Sequence, residues 1–134
     1  MEIFVIVLAA AASLFTAYSF YKAGKFKAFS TKETLLGAGF GWVEKTPFAV
    51  VRLIAWLELA GAAGLILAPI GYFAGLEWAI WFAVAAAAGL ALTMVGAIIL
   101  HAKRGEAKYT LKMNLQLLVV ALLAAGLWAY LPMI

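Results

Sequence analysis

The chain has 134 residues, of which 68% are hydrophobic and 12% are charged, and its net charge is +4. Together with a mean hydropathy of +1.08, this composition excludes an ordinary soluble domain and predicts an integral membrane protein. The chain has no cysteine, which excludes disulfides, thiolate metal sites and thiol redox chemistry by the chain itself. The positive charges flank apolar runs, so we expect membrane lipids as partners and no nucleic acid.

Four apolar runs follow one another along the sequence, at about residues 3–21, 47–68, 78–100 and 110–131. Each is long enough to cross the roughly 30 Å hydrocarbon core of a bilayer as a helix. The first run carries its lysines after the apolar stretch, which favours a retained span over a cleaved signal. In the second run, Pro47 is expected to open the helix and Pro69 to close it. The sequence therefore predicts an all-α membrane protein, a single four-transmembrane-helix bundle over residues 1–134.

The first connector contains a helix-start signal. Ser30-Thr31-Lys32-Glu33 has the spacing of a capping box, Leu35 and Leu36 follow it, and Gly37 and Gly39 are stop signals. This pattern predicts a short interfacial helix between the first two spans.

The basic residues predict the topology. All ten lysines and arginines lie in or beside the first and third connectors. They are Lys22, Lys25, Lys27, Lys32, Lys45 and Arg52 around the first connector, and Lys103, Arg104, Lys108 and Lys112 around the third. By the positive-inside rule we expect both connectors in the cytoplasm, both termini outside, and the protein in a bacterial or archaeal cytoplasmic membrane.

Polar residues within the spans concentrate in the half nearest those connectors. Counting along each helix from that end places Glu58 about 16 Å deep, with Arg52, Thr93 and Gln116 at about 8–12 Å. Asn114 is slightly shallower, and His101 lies at the mouth. The candidate ligand-binding residues are therefore Arg52, Glu58, Thr93, His101, Asn114 and Gln116.

Glu58 is the central member of this set, because a charge at the middle of a span costs roughly 2.5–3.5 kcal/mol. Arg52 and Glu58 lie roughly 120° apart around an ideal helix, so we expect each to find its partner on another span. For Glu58 the candidates are Thr93, Gln116, and Arg52 through a water, with protonation as the remaining choice. Three interpretations stay open: hydrogen bonds that hold the helices together, a polar pocket for a ligand, or a proton-coupled carboxylate.

No catalytic residue and no metal site is predicted. The sequence has no phosphate-binding glycine loop, no nucleophile elbow and no pair of carboxylates at catalytic spacing. A lone histidine at a membrane boundary is more often a hydrogen-bonding residue than a metal or haem ligand, and we interpret His101 in that way.

Several short motifs together resemble the DoxX-like family of small bacterial membrane proteins. The resemblance covers about residues 39–120. It runs through Gly41-Trp42-Val43-Glu44, Val51-Arg52-Leu53-Ile54, Leu57-Glu58-Leu59, Gly61-Ala62, Gly64-Leu65-Ile66-Leu67, Pro69, Gly89-Leu90-Ala91-Leu92, Gly96-Ala97, His101, Arg104-Gly105-Glu106 and Asn114. It implies a four-helix membrane fold and marks Arg52, Glu58, His101 and Asn114 as the polar positions of the family.

The resemblance also implies kinds of partner. The family takes its name from the small subunit of an archaeal thiosulfate:quinone oxidoreductase, and relatives are described as membrane partners of redox or stress-response enzymes. We therefore expect a non-catalytic membrane subunit or scaffold that holds a quinone-like or lipid-like ligand in a cytoplasmic-side polar pocket, or docks a redox-enzyme partner or a second copy in a homodimer. The alternatives are a small proton-coupled multidrug-type exporter using Glu58, and a membrane enzyme with Glu58 as acid or base.

Overall fold

The computed structural model describes residues 2–134, with the backbone alone for residues 107–110. Among these residues it contains five α-helices and two 3₁₀ turns, the turns at Gly41–Lys45 and Leu131–Met133. The helices are α1 (Glu2–Phe29), α2 (Lys32–Gly37), α3 (Phe48–Phe73), α4 (Ala79–Lys103) and α5 (Ala107–Tyr130).

Four helices, α1, α3, α4 and α5, are long and apolar enough to cross a membrane, which confirms the predicted fold class. Each packs against two of the others: α1 and α4 both contact α3 and α5. Neighbours in the chain are therefore neighbours in space, and the pairing of α1 with α5 closes the ring. This is the up-down-up-down arrangement that short connectors favour.

Glycines allow α3 to approach its neighbours closely. A Cβ atom built on Gly61 would lie 2.7 Å from Cγ of Leu90 on α4, and one on Gly64 would lie 3.0 Å from Cβ of Ala86. On α1, a Cβ on Gly24 would lie 3.0 Å from the carbonyl oxygen of Ala55. Small residues at these crossings permit the backbone contact that stabilises membrane bundles.

Two helix ends differ from the predicted ones. The first helix does not stop near residue 21 but continues to Phe29, because lysine and alanine are good helix formers and the single Gly24 among them does not end the helix. The second span does not end at Pro69, which lies inside α3. Proline removes one backbone donor, a loss that packed membrane helices tolerate.

The first connector folds onto the end of the bundle. Helix α2 begins after Thr31, whose hydroxyl accepts a hydrogen bond of 3.1 Å from the backbone N–H of Thr34. The cap is therefore Thr31 and not Ser30, while the predicted end at Gly37 is correct. The location of α2 at the membrane interface stays a prediction.

A small apolar cluster joins this connector to the spans. Its buried members are Leu35, Trp42, Val43 and Val51, and Leu100 of α4 packs against them. The first connector also meets the third, because a Cβ on Gly41 would lie 3.1 Å from the Arg104 guanidinium. Both basic connectors thus lie at one end of the bundle, which we call the basic end; its side of the membrane stays a prediction.

Candidate functional site

An ion pair between α1 and α3 lies near the basic end of the bundle. The Lys27 ammonium donates to Oε1 of Glu58 over 2.5 Å. Lys27 is 8% exposed and Glu58 is 1% exposed, so both charges are withdrawn from the surface. Each residue belongs to the buried face of its helix, and the pair leaves no net charge in the packed interior.

Arg52 binds the same stretch of α1 through its backbone. Its two terminal nitrogens donate to the carbonyl oxygens of Lys27, over 3.1 Å, and Ser30, over 2.8 Å. Carbonyl groups at a helix C-terminus have no partner within the helix, so a guanidinium there satisfies them and favours the helix dipole. The guanidinium also lies 4.5 Å from the centre of the Phe48 ring. Arg52 and Glu58 do not bind each other; both bind Lys27.

Asn114 of α5 lies at about the level of this ion pair. In the antiparallel pair of α1 and α5, Ser13 contacts Trp128, and Lys27 and Asn114 each lie fourteen residues from that contact. Asn114 is 4% exposed. Its side-chain nitrogen has no hydrogen-bond partner among the described residues, nor has Oε2 of Glu58. We call the level of Glu58 and Asn114 the Glu58 layer. It has a buried donor on α5 and a buried acceptor on α3, each without a hydrogen-bond partner among the described residues.

Two other predicted site residues point elsewhere. Thr93 is half-buried, and its hydroxyl donates over 3.0 Å to the carbonyl of Gly89 in its own helix. Gln116 is exposed on the outer surface of α5. Neither supplies the partner of Glu58 that the sequence suggested. The structure connects Arg52 and Glu58 through Lys27, and Asn114 lies on α5 at about that level.

Lys27 is the site residue that sequence reasoning missed. The charge pattern places it in the positive flank of the first span, because lysines at span ends usually extend to the membrane surface. Its position along the helix indicates that it is buried. Lys27 continues the three-and-four spacing of the buried residues Ser13, Thr16, Phe20 and Gly24, which places it on the face turned towards the bundle.

His101 belongs to a separate cluster at the mouth of the bundle. Its Nδ1 lies 3.0 Å from Oε1 of Glu106, and the same oxygen accepts a hydrogen bond of 2.9 Å from Nε of Arg104. The hydrogen bonds from Arg104 and His101 lower the pKa of the Glu106 carboxyl. The cluster supports the hydrogen-bonding interpretation of His101, and within the described residues no three histidine, cysteine or acidic side chains are grouped to hold a metal.

This arrangement restricts the chemistry of Glu58. One carboxylate oxygen is held by Lys27, and removing one partner of a buried ion pair costs about 3–5 kcal/mol. A proton taken up by Glu58 from outside the pair would leave the Lys27 ammonium buried without a counter-charge. The ion pair is suited to fixing α1 against α3.

Comparison with known proteins places the chain in a family. Searches among characterised proteins and among solved structures find no significant match. A family model described as the DoxX-like family matches residues 6–126, most of the length of the chain. With four helices that can cross a membrane and a family match of this extent, the chain belongs to the DoxX-like family of membrane proteins.

Proposed function

We propose that this protein is a non-catalytic membrane subunit, a scaffold that holds a redox-enzyme partner at the membrane. The observation that carries the proposal is the use of Lys27, which binds Glu58 through its ammonium and Arg52 through its carbonyl. Lys27, Arg52 and Glu58 therefore join α1 to α3. Such a bundle is built to stay in one shape.

The basic end offers the surface for a partner. Helix α2 and the 3₁₀ turn at Gly41–Lys45 are held on the bundle by the buried cluster around Trp42 and Val43. Glu44 and Lys45 are exposed on this folded connector. A connector with its own apolar cluster presents a fixed surface, as docking of a soluble enzyme requires. The redox class of the partner comes from the family resemblance.

If the protein holds a quinone-like or lipid-like ligand, we propose that it binds at the Glu58 layer. There the unpartnered Oε2 of Glu58 can accept a hydrogen bond and the unpartnered nitrogen of Asn114 can donate one. These are the groups that a ligand hydroxyl and a ligand carbonyl need.

The proton-coupled exporter is the competing function, and the ion pair argues against it. An exporter of that kind needs a carboxylate that gains and loses its proton in each cycle. Here each protonation of Glu58 would remove its negative charge and leave the Lys27 ammonium buried without a counter-charge.

The test combines crosslinking in native membranes with a flux assay. A photo-crosslinking residue at Lys45 should capture an oxidoreductase, identified by peptide mass spectrometry. The same residue at Leu76, exposed at the opposite end of the bundle, should not capture it. Proton or drug flux in proteoliposomes that is lost in Glu58→Gln but kept in Glu44→Gln would overturn the scaffold in favour of the exporter. A quinone that co-purifies with wild type and Glu44→Gln but not with Glu58→Gln would establish the ligand at the Glu58 layer.

A further inference from the structure

A groove on the outer surface runs between α1 and α5. It is lined by Phe15 of α1 and by Lys112, Leu115, Gln116, Val119 and Val120 of α5. Both helices can cross a membrane, so this groove faces the lipid phase. It is separate from the Glu58 layer, because its polar side chains point outward.

Two polar side chains in this groove are exposed and unpartnered. Lys112 makes no ion pair and Gln116 makes no side-chain hydrogen bond with any described residue. Gln116 lies towards the hydrocarbon, where water is scarcer and an amide is stabilised by a polar partner. The groove therefore offers a ligand one positive charge and one amide.

The spacing of the two side chains defines that ligand. Lys112 and Gln116 are four residues apart, so they lie on one face of α5 and about 6 Å apart along its axis. Lys112 is the nearer of the two to the basic end, where a positive charge attracts a phosphate. Gln116 lies one turn deeper, at the depth of the ester groups of a phospholipid whose phosphate contacts Lys112.

The apolar part of the groove continues in the same direction. Val119 is 52% exposed, and Leu122 and Leu123 beyond it are also more than half exposed. On the other wall, Phe15 is 59% exposed. The acyl chains of such a lipid extend from its ester groups and would lie along these side chains, towards the far end of the bundle.

We infer that the groove between α1 and α5 is a binding site for one anionic glycerophospholipid, with its phosphate at Lys112 and an ester or glycerol oxygen at Gln116. This goes beyond the proposed scaffold function. A neutral quinone would leave Lys112 without a counter-charge. A second copy of the chain related by a two-fold axis would bring two Lys112 ammonium groups together, which is unfavourable.

The experiment is native mass spectrometry of the delipidated protein titrated with phosphatidylglycerol or with phosphatidylcholine of the same acyl chains. Wild type should bind one phosphatidylglycerol more tightly than phosphatidylcholine. Lys112→Gln should weaken the binding of phosphatidylglycerol about fivefold, the effect of one basic residue near an anionic head group. Gln116→Leu should weaken it about threefold, the effect of one hydrogen bond within a membrane.

Lys22→Gln is the control for charge, because it removes one exposed positive charge from α1 at a residue that does not line the groove. It should bind phosphatidylglycerol as wild type does. Equal weakening in Lys22→Gln and Lys112→Gln would overturn the site, because it would show attraction to the overall charge only. A dimer of the chain that Gln116→Leu dissociates would also overturn it, by making the groove an interface between copies. Each variant is first compared with wild type in helix content and thermal stability. Lys112→Arg keeps the charge and should therefore keep the binding.

Discussion

The indole N–H of Trp128 donates a hydrogen bond of 2.7 Å to the hydroxyl oxygen of Ser13, joining the last membrane-spanning helix to the first. Both side chains are fully buried. This contact closes the ring of helices at the half of the bundle farther from the basic end. The Trp128 ring also packs edge-on against Tyr72 of α3, with ring centres 5.7 Å apart.

We expect Trp128→Phe to destabilise the bundle by about 1–3 kcal/mol, because it leaves Ser13 without its donor and reduces the packed volume. Ser13→Ala should have a smaller effect, and the effects of the two substitutions should not add. Thermal unfolding in detergent measures these changes. Trp78→Phe, at a site 62% exposed, is the control; an equal effect of Trp78→Phe would contradict the assigned role.

The buried ion pair gives a second prediction. Lys27→Met or Glu58→Leu alone should destabilise the protein by about 3–5 kcal/mol, because each leaves a buried charge unpaired. The double variant should be more stable than either single variant, since it removes both charges. Lys25→Met, which changes an exposed lysine on the same helix, should be close to neutral. Additive losses in the double variant would show that the pair has no energetic coupling.

Arg52 gives a third prediction. Its fork of nitrogens reaches two carbonyl oxygens at the end of α1, a geometry that a lysine ammonium does not reproduce. Arg52→Lys should therefore destabilise the protein by about 1–3 kcal/mol, the range for hydrogen bonds from a charged group. Hydrogen exchange should rise at the backbone amides of residues 26–31 in particular. Lys45→Ala is the control, and unchanged exchange at residues 26–31 in Arg52→Lys would contradict the prediction.

The helix crossing at Gly24 gives a fourth. Gly24→Ala should push α1 away from α3, because the new Cβ would lie 3.0 Å from a backbone oxygen. We expect a loss of about 1–3 kcal/mol. Gly126→Ala, in a helix with no atom within 4 Å of the new Cβ, should be neutral or slightly stabilising, since alanine favours helix over glycine. Equal stability of the two variants would show that the crossing is not close.

The carboxyl of Glu106 gives a pH prediction. Its pKa is lowered in the folded protein by hydrogen bonds from Arg104 and His101, so its contribution to stability is fully present above the ordinary glutamate pKa. The contribution is lost as the pH falls from about 4.3 through the lowered pKa. Wild type should therefore be more stable than Glu106→Gln at neutral pH, and the difference should disappear on acidification. Melting temperatures from neutral pH to pH 3 measure this; a difference that persists at the acid end would contradict it. Glu44→Gln controls for the lost charge.

The sequence predicted the number and order of the spans, because apolar length and charge clusters are read directly from the residues. It also placed Glu58 among polar groups near the basic end. It did not predict which way each polar side chain points, since counting residues gives depth and not rotation about the helix axis. Asn114 and Gln116 show the difference: residues two apart lie about 200° around a helix, so one is buried and the other exposed.

The ends of the helices were harder to predict for a different reason. The charge pattern groups Lys22, Lys25 and Lys27 as one flank, although tertiary packing separates them. Lys22 and Lys25 remain exposed, beside the rings of Tyr18 and Tyr21, whereas Lys27 is drawn inward by a carboxylate 31 positions away. Local sequence patterns do not show a contact between residues so far apart in the chain.

The pairing of Lys27 with Glu58 has a consequence for biosynthesis. The two residues belong to consecutive spans, so the partner of the first buried charge is the next helix to be synthesised. The Lys27 ammonium can then neutralise Glu58 as α3 enters the membrane, whereas α3 alone would carry a charge near the middle of a span, whose insertion costs roughly 2.5–3.5 kcal/mol. A Lys27→Met chain lacks that counter-charge, and its α3 should be retained in the membrane less efficiently than α3 of the wild type.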